Sequence, residues 1–183
     1  GQLAVMTRKG RSASGKAGDN QLERSLGRLG YDTARKLTAA TAVVLTDYPT
    51  AELLRWVRDG GDMLFISQGA SPFFWVQSRG GAYSGNWITS YSWLRPGVHR
   101  RLAVANPLGL PFINVMPTRT ILGLPVEDPA LQPDLLAGMI AGWVNHPSVH
   151  TVQFRYGHGR VLMTTFALAE ALPGDPVAVA LFH

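Results

Sequence analysis

The chain has 183 residues, 46% hydrophobic and 16% charged, so it can bury one substantial core and is too apolar to be disordered. It contains no cysteine, which excludes disulfides, thiolate metal sites and a cysteine nucleophile. The formal net charge is +5, and no uninterrupted apolar run approaches the roughly 20 residues of a membrane-spanning helix.

Taken in chain order, Leu3–Met6 reads as a short apolar strand, followed by a Gly/Ser/Lys-rich loop from Arg8 to Gly18. The next helix opens at Asn20, which forms a capping box with Glu23; Leu22, Leu26 and Leu29 line one face, and Gly30 suits the C-terminal cap. Tyr31–Leu37 is expected to hold a short second strand, and the continuous apolar run Ala42–Thr46 a buried one. Thr50 caps a helix over Ala51–Asp59 that stops at Gly60-Gly61, and Met63–Ser67 is the next strand. Strands alternating with helices at this spacing imply βαβ units, right-handed crossovers and a three-layer α/β/α sandwich with a mostly parallel sheet. Ligands of such sheets bind beyond the carboxyl ends of the strands. Here that rim is expected near Thr7–Gly18, Thr46–Pro49 and Ser67–Phe74.

From about 70 to 131 the pattern loosens into an irregular excursion with short strands, crowded with Phe73, Phe74, Trp75, Tyr83, Trp87, Tyr91 and Trp93. Between Met63 and Val126 there is no Asp or Glu, while Arg79, Arg95, Arg100, Arg101 and Arg119 all fall there. Such a surface attracts an anionic partner: nucleic acid, an acidic sugar, or an acidic face of the parent protein. The alternative is that these arginines are simply spread over a solvated surface. Leu135–Val144 reads as a helix. Phe154–Phe166 reads as two strands joined through Gly157-His158-Gly159, then a loop, then a helix with Asp175 as N-cap and Pro176 at its first position. That helix is still apolar at His183, and the chain opens on Gly1. The expectation is one α/β domain over residues 1–183, cut from a longer polypeptide.

Several short motifs belong together: Tyr156-Gly-His-Gly-Arg-Val161, Thr164-Thr-Phe166, Asp175-Pro-Val-Ala178, Asn106-Pro-Leu-Gly-Leu-Pro-Phe112, Met116-Pro117, Ile121-Leu-Gly123, and Ala137–Val144 before His146-Pro147. In this combination the chain resembles the C-terminal α/β domain of bacterial proteins in the glycoside hydrolase family 2 group, often described as sugar binding. That domain is similar in fold to class I glutamine amidotransferases, so the resemblance implies a flavodoxin-like, amidotransferase-like architecture. Without cysteine, the glutaminase reaction of that fold is excluded. The resemblance implies a non-catalytic accessory domain of a cytoplasmic protein of carbohydrate metabolism, with no cofactor, no metal and no membrane contact. Its partners would be upstream domains of the same polypeptide, a carbohydrate, or a second copy of the chain.

Individual residues offer further chemistry. Gly10-Arg-Ser-Ala-Ser-Gly15-Lys16-Ala17 has the spacing of a phosphate-cradling loop after a strand, but Ala17 stands where a metal-binding hydroxyl is needed. A surface loop is the better reading, with nucleotide binding through Gly15 and Lys16 as a remote alternative. Ser67-Gln68-Gly69 occupies the strand-to-turn slot that holds the nucleophile in amidotransferase-like folds. A serine hydrolase using Ser67, with His146, His150 or His158 as base, is therefore the main alternative to the accessory role. Glycoside cleavage needs two carboxyl groups; Asp47 sits at a strand end, whereas Glu127, Asp128 and Asp134 lie in Pro-rich loop sequence. The three histidines lack a metal-ligand spacing. Sugar rings stack on Trp and Tyr, and interfaces favour aromatics and arginine. Trp75, Tyr83, Trp87, Tyr91, Trp93 and Arg95, with Asp47 and Gln68, are accordingly the expected ligand or interface residues; the competing role for the rings is core packing. For the combination of arginine and aromatics, nucleic acid ranks last.

Overall fold

The structure, a computed structural model, describes residues 2–7, 21–67, 69, 71–78, 92–99, 102, 104–141 and 146–183. Its strands in chain order are β1 (Gln2–Val5), β2 (Thr33–Ala34), β3 (Thr41–Thr46), β4 (Asp62–Ile66), β5 (Trp75–Ser78), β6 (Ser92–Leu94), β7 (Arg119–Leu122), β8 (Leu135–Ala141), β9 (His146–Tyr156) and β10 (Gly159–Thr164). The helices are α1 (Gln21–Arg28), α2 (Ala51–Arg58), the single turn α3 (Leu168–Ala171) and α4 (Pro176–Phe182). No helix among the described residues is long and apolar enough to cross a membrane.

One mixed sheet carries the fold. Its parallel half runs β2-β1-β3-β4-β10, each strand parallel to its neighbours. Successive side chains of a strand point to opposite faces, and both faces are covered. Ala4 and Val44 pack with Leu53 of α2, while Val5, Leu45 and Ile66 pack with Leu22 and Leu26 of α1 and with Val177, Ala178 and Leu181 of α4. This double burial explains why these strands read as apolar runs rather than strict alternations.

Local chemistry sets the helix ends as the sequence implies. The Thr50 hydroxyl accepts from Leu53 N at 3.2 Å, and Asp175 Oδ1 accepts from Val177 N at 2.8 Å and Ala178 N at 3.0 Å. Asn114 also donates to the Asp175 carboxylate, which lowers its pKa together with the helix amides. Gly30 ends α1 at φ 85°, the left-handed conformation that a C-terminal cap requires. Asn20, the other partner of the expected capping box, lies outside the described residues.

The antiparallel half hangs on β9, which is eleven residues long. Its second part forms a hairpin with β10 through Gly157-His158, and its first part pairs with β8 and β7; β6 then joins β8, and β5 joins β7. Gly159, at the start of β10, admits no side chain: a Cβ there would lie 2.1 Å from the carbonyl oxygens of both Val57 and Gly61. Met63, Phe65, Val149, Val152, Val161, Met163 and Ile121 form a second core cluster with Val57 of α2. Phe73 and Phe74 dock on it, Phe73 edge-on to Phe154 (centroids 5.0 Å apart) and Tyr156, and Phe74 edge-on to Phe154. Two rings of the aromatic window are thus core packing.

The expected helix over Leu135–Val144 is corrected: Leu135–Ala141 is a strand, and residues 142–145 lie outside the described residues. A short run that is apolar all round carries no periodicity to separate a strand from a buried helix. Here the partners decide. β8 is hydrogen-bonded on one side to β6 and on the other to β9, with Trp93 opposite Gly138 and Ser148 opposite Met139. A Cβ on Gly138 would lie 2.5 Å from the Ser148 carbonyl oxygen and 2.9 Å from the Trp93 ring, so the glycine belongs to close strand packing.

Candidate functional site

Three adjacent parallel strands end in a buried hydroxyl residue: Thr46 after β3's apolar run, Ser67 just past β4, and Thr164 at the end of β10. Each turns the chain in the same way. Thr46 Oγ1 accepts from Tyr48 N at 3.1 Å, Ser67 Oγ from Gly69 N at 3.4 Å, and Thr164 Oγ1 from Phe166 N at 3.2 Å. A strand that leaves its sheet strands a backbone N–H, and a short hydroxyl side chain two residues earlier can satisfy it. Ser67 N also donates to Thr164 O at 2.8 Å, which extends the β4–β10 pairing to the start of the turn.

Beyond these strand ends lies a crevice of about 190 Å³, lined by Thr7, Gln21, Leu22, Asp47, Ile66, Ala169 and Glu170. Its position follows from topology. The chain leaves β1 through α1 on one face and β3 through α2 on the other, so the two crossovers diverge and leave an opening between neighbouring strand ends. Thr7 follows β1, Asp47 follows β3, and Ile66 closes β4. The first turn of α1 supplies Gln21 and Leu22, and α3 supplies Ala169 and Glu170. α3 is held against α1 by the buried Ser25 hydroxyl, which donates to Leu172 O at 2.7 Å. The lining therefore combines two carboxyl groups, an amide and a hydroxyl with an apolar wall of Leu22, Ile66 and Ala169.

Of the residues expected at a site, Asp47 lines this crevice. Ser67 is 3% exposed, and its hydroxyl serves the turn. Trp75 stands 69% exposed on β5, a terminal strand of the sheet order. Trp93 is half-buried against Gly138 and the second core cluster. Arg95 holds β6 to the start of β8: its Nε donates to Leu135 O at 2.8 Å, another guanidinium nitrogen donates to Gln132 O, and its backbone N donates to Leu136 O at 2.8 Å. Gln68, Tyr83, Trp87, Tyr91, Arg79, Arg100, Arg101 and the loop carrying Gly15 and Lys16 lie outside the described residues. Asp128 accepts from Ala130 N at 2.8 Å and Asp134 from the Gln153 side chain at 3.2 Å, both within or beside their own loop.

Neither His150 nor His158 is hydrogen-bonded to Ser67. His158 sits exposed in the β9–β10 turn, at the opposite end of β10 from the crevice rim, with its backbone N donating to Arg58 O at 2.8 Å. His150 is fully buried; its Nε2 lies 3.3 Å from the hydroxyl of Ser92, also fully buried, and its Nδ1 has no hydrogen-bond partner among the described residues. Desolvation pushes its pKa down to about 3, so the ring is neutral across the physiological range. Of His146, only its place at the start of β9 is described. Among the described residues no group of three or more His, Asp or Glu is placed to hold a metal ion.

Sequence reasoning missed Glu170, Gln21 and the Ser92–His150 pair. Glu170 had a usable signal: β10 is a parallel strand, so the turn that follows it belongs to the same rim as Asp47. The Ser92–His150 contact spans 58 residues and had none. In comparisons with known proteins, no family model matches the sequence, and no curated protein is a significant match.

Proposed function

We propose that the chain is a non-catalytic accessory domain of a family 2 glycoside hydrolase-like protein, docking on upstream domains and contributing to a carbohydrate site. The family comes from the short motifs between Asn106 and Ala178. The order β2-β1-β3-β4-β10 of the parallel half supports a flavodoxin-like, amidotransferase-like reading, because 2-1-3-4-5 is the strand order of that doubly wound group.

The observation that carries the non-catalytic role is the shared geometry of Thr46, Ser67 and Thr164. Ser67 occupies the slot of the nucleophile, yet it does what the threonines on the neighbouring strands do: it accepts the amide two residues on. A serine nucleophile needs a base within hydrogen-bond reach, and the buried imidazole of His150 is paired to Ser92 instead. Exposed Trp75 offers a ring for sugar stacking or for docking.

Incubation with a fluorophosphonate probe tests this reading. The folded protein is expected to stay unlabelled; a covalent adduct that disappears in Ser67→Ala would overturn the accessory role in favour of a serine hydrolase.

A further inference from the structure

We propose that one sheet face, near the amino ends of β4 and β10 and the adjoining end of β9, is a two-fold interface joining two copies of this chain. The proposal rests on this face alone and stands whether or not the domain has an accessory role.

Uneven cover is the first observation. Side chains alternate between the two faces of a strand. On the α2 side every position of β4 and β10 is buried: Met63 and Phe65, then Gly159, Val161 and Met163. On the opposite side the cover runs out toward the amino ends. Ile66, Thr164 and Thr151 are buried, Leu64 and Leu162 are half-buried, and Gln153, Arg155 and Arg160 are exposed. On β3, Leu45 is fully covered, while Val43, two residues earlier on the same face, is 36% exposed. α1 and α4 pack on Val5, Leu45 and Ile66, near the carboxyl ends of their strands. Parallel strands are normally covered on both faces. Val43, Leu64 and Leu162 therefore form an apolar strip that this chain leaves partly open.

Charge chooses the occupant. The register sets Asp62, Arg160 and Arg155 in one row across β4, β10 and β9. Arg160 holds Asp62 through two hydrogen bonds, Nε to Oδ1 at 3.2 Å and Nη2 to Oδ2 at 2.6 Å. Arg155 stands directly opposite Arg160, a neighbour of like charge, and has no ion pair among the described residues. Gln153, the next residue on this face, gives its amide to Asp134. The row is thus acidic at the β4 end and basic at the β9 end, and such a row complements itself when reversed. About a two-fold axis along β10, Leu162 meets Leu162 and each Asp62 faces the Arg155 of the other copy, so one pairing is made twice. A nucleic acid fits less well, because Asp62 repels phosphate and the apolar strip gains nothing from it.

Three strands about 5 Å apart and two rows about 7 Å apart make a patch far smaller than the roughly 800 Å² per partner of a standard interface. A weak dimer is therefore expected, with a Kd of about 100 µM. Sedimentation equilibrium of the whole chain from about 10 µM to about 1 mM tests it. Reversible dimerisation is expected in the wild type. Arg155→Glu sets carboxylate against carboxylate at two points and should weaken the dimer about tenfold or more, whereas Arg155→Lys keeps the charge and should change it about threefold or less. Leu162→Asp should leave a monomer. Arg155 is exposed, so both of its variants keep the fold even where Leu162→Asp does not. A wild-type chain that stays monomeric to the top of the range would overturn the proposal. So would a dimer as strong in Arg155→Glu as in the wild type, which would move the contact to another surface, such as exposed Leu110 and Ile113. Labelling of Ser67 bears on the accessory role and leaves this result untouched.

Discussion

In the parallel half of the sheet, Thr46, Ser67 and Thr164 stand at strand ends and bond the backbone two residues on; in the antiparallel half, Ser92, Thr120, Ser148 and His150 lie buried between strands and bond one another. Thr120 Oγ1 donates to Ser148 Oγ at 2.5 Å and reaches Val149 O at 3.2 Å, while Ser92 meets His150 at 3.3 Å. A hydroxyl spent at the end of a strand turns the chain sharply and leaves the rim open, and that is where the crevice forms. A hydroxyl spent inside the sheet closes space and pins register, because a one-residue slip would turn it to the wrong face and strand its partner. The same residue types thus build a rim in one half and a lock in the other. β9 belongs to both, and its Thr151 hydroxyl meets that of Thr164 at 2.9 Å across the junction.

The hardest way to break the locked half is to force its strands apart. Gly138→Val places a branched side chain where a Cβ already meets the Ser148 carbonyl oxygen, and we expect a loss of about 4 kcal/mol or more in urea unfolding. Gly30→Ala, at a left-handed helix end with open space around it, should cost only about 1 kcal/mol.

Acid attacks the same lock through His150. Its pKa is about 3 in the fold against 6.5 as the ordinary value, so the unfolded chain binds the proton first. The stability from keeping this ring neutral is complete above pH 6.5 and falls as pH drops toward 3, by roughly 5 kcal/mol at most. Denaturation between pH 6.5 and 5, above the range of most carboxyl groups, should show this slope, and His150→Leu should flatten it. An unaltered slope in the variant would locate the acid sensitivity elsewhere.

The junction responds less. Thr151→Val leaves the Thr164 hydroxyl without this partner in a buried site, for an expected cost of about 1–2 kcal/mol by urea midpoint. In the parallel half, Thr50→Ala removes the α2 cap and should cost about 1 kcal/mol. Least of all, Trp75→Ser should change stability by no more than about 0.5 kcal/mol, since the ring is largely solvated. Its readout is intrinsic fluorescence on adding a sugar: loss of a wild-type response in this variant would mark Trp75 as the stacking ring, and a preserved response would not.

Much of the parallel half was legible because its signals act over three or four residues. Thr50 and Asp175 cap the helices that follow them, Gly30 ends α1, and the Gly157–Gly159 turn joins two strands, each through contacts made within its own segment. β3 and β4 declare themselves by apolar runs too short for a helix, and Asp47 by its place at a strand end. β8 was not legible. Leu135–Ala141 has the composition of a helix, and only the edges of β6 and β9 beside it, with no room for a side chain at position 138, make it a strand.

By itself, then, the sequence determined the helix caps, the main parallel strands, the absence of thiol chemistry and the rim on which Asp47 stands. The tertiary structure decided that Glu170 and Gln21 join Asp47, that His150 pairs with Ser92 and not with Ser67, and that the Ser67 hydroxyl turns a strand. The physical reason is range. A cap or a turn is an energy of neighbouring residues, whereas a crevice or a buried polar pair exists only once distant strands are fixed side by side, and no spacing along the chain encodes which strands those are.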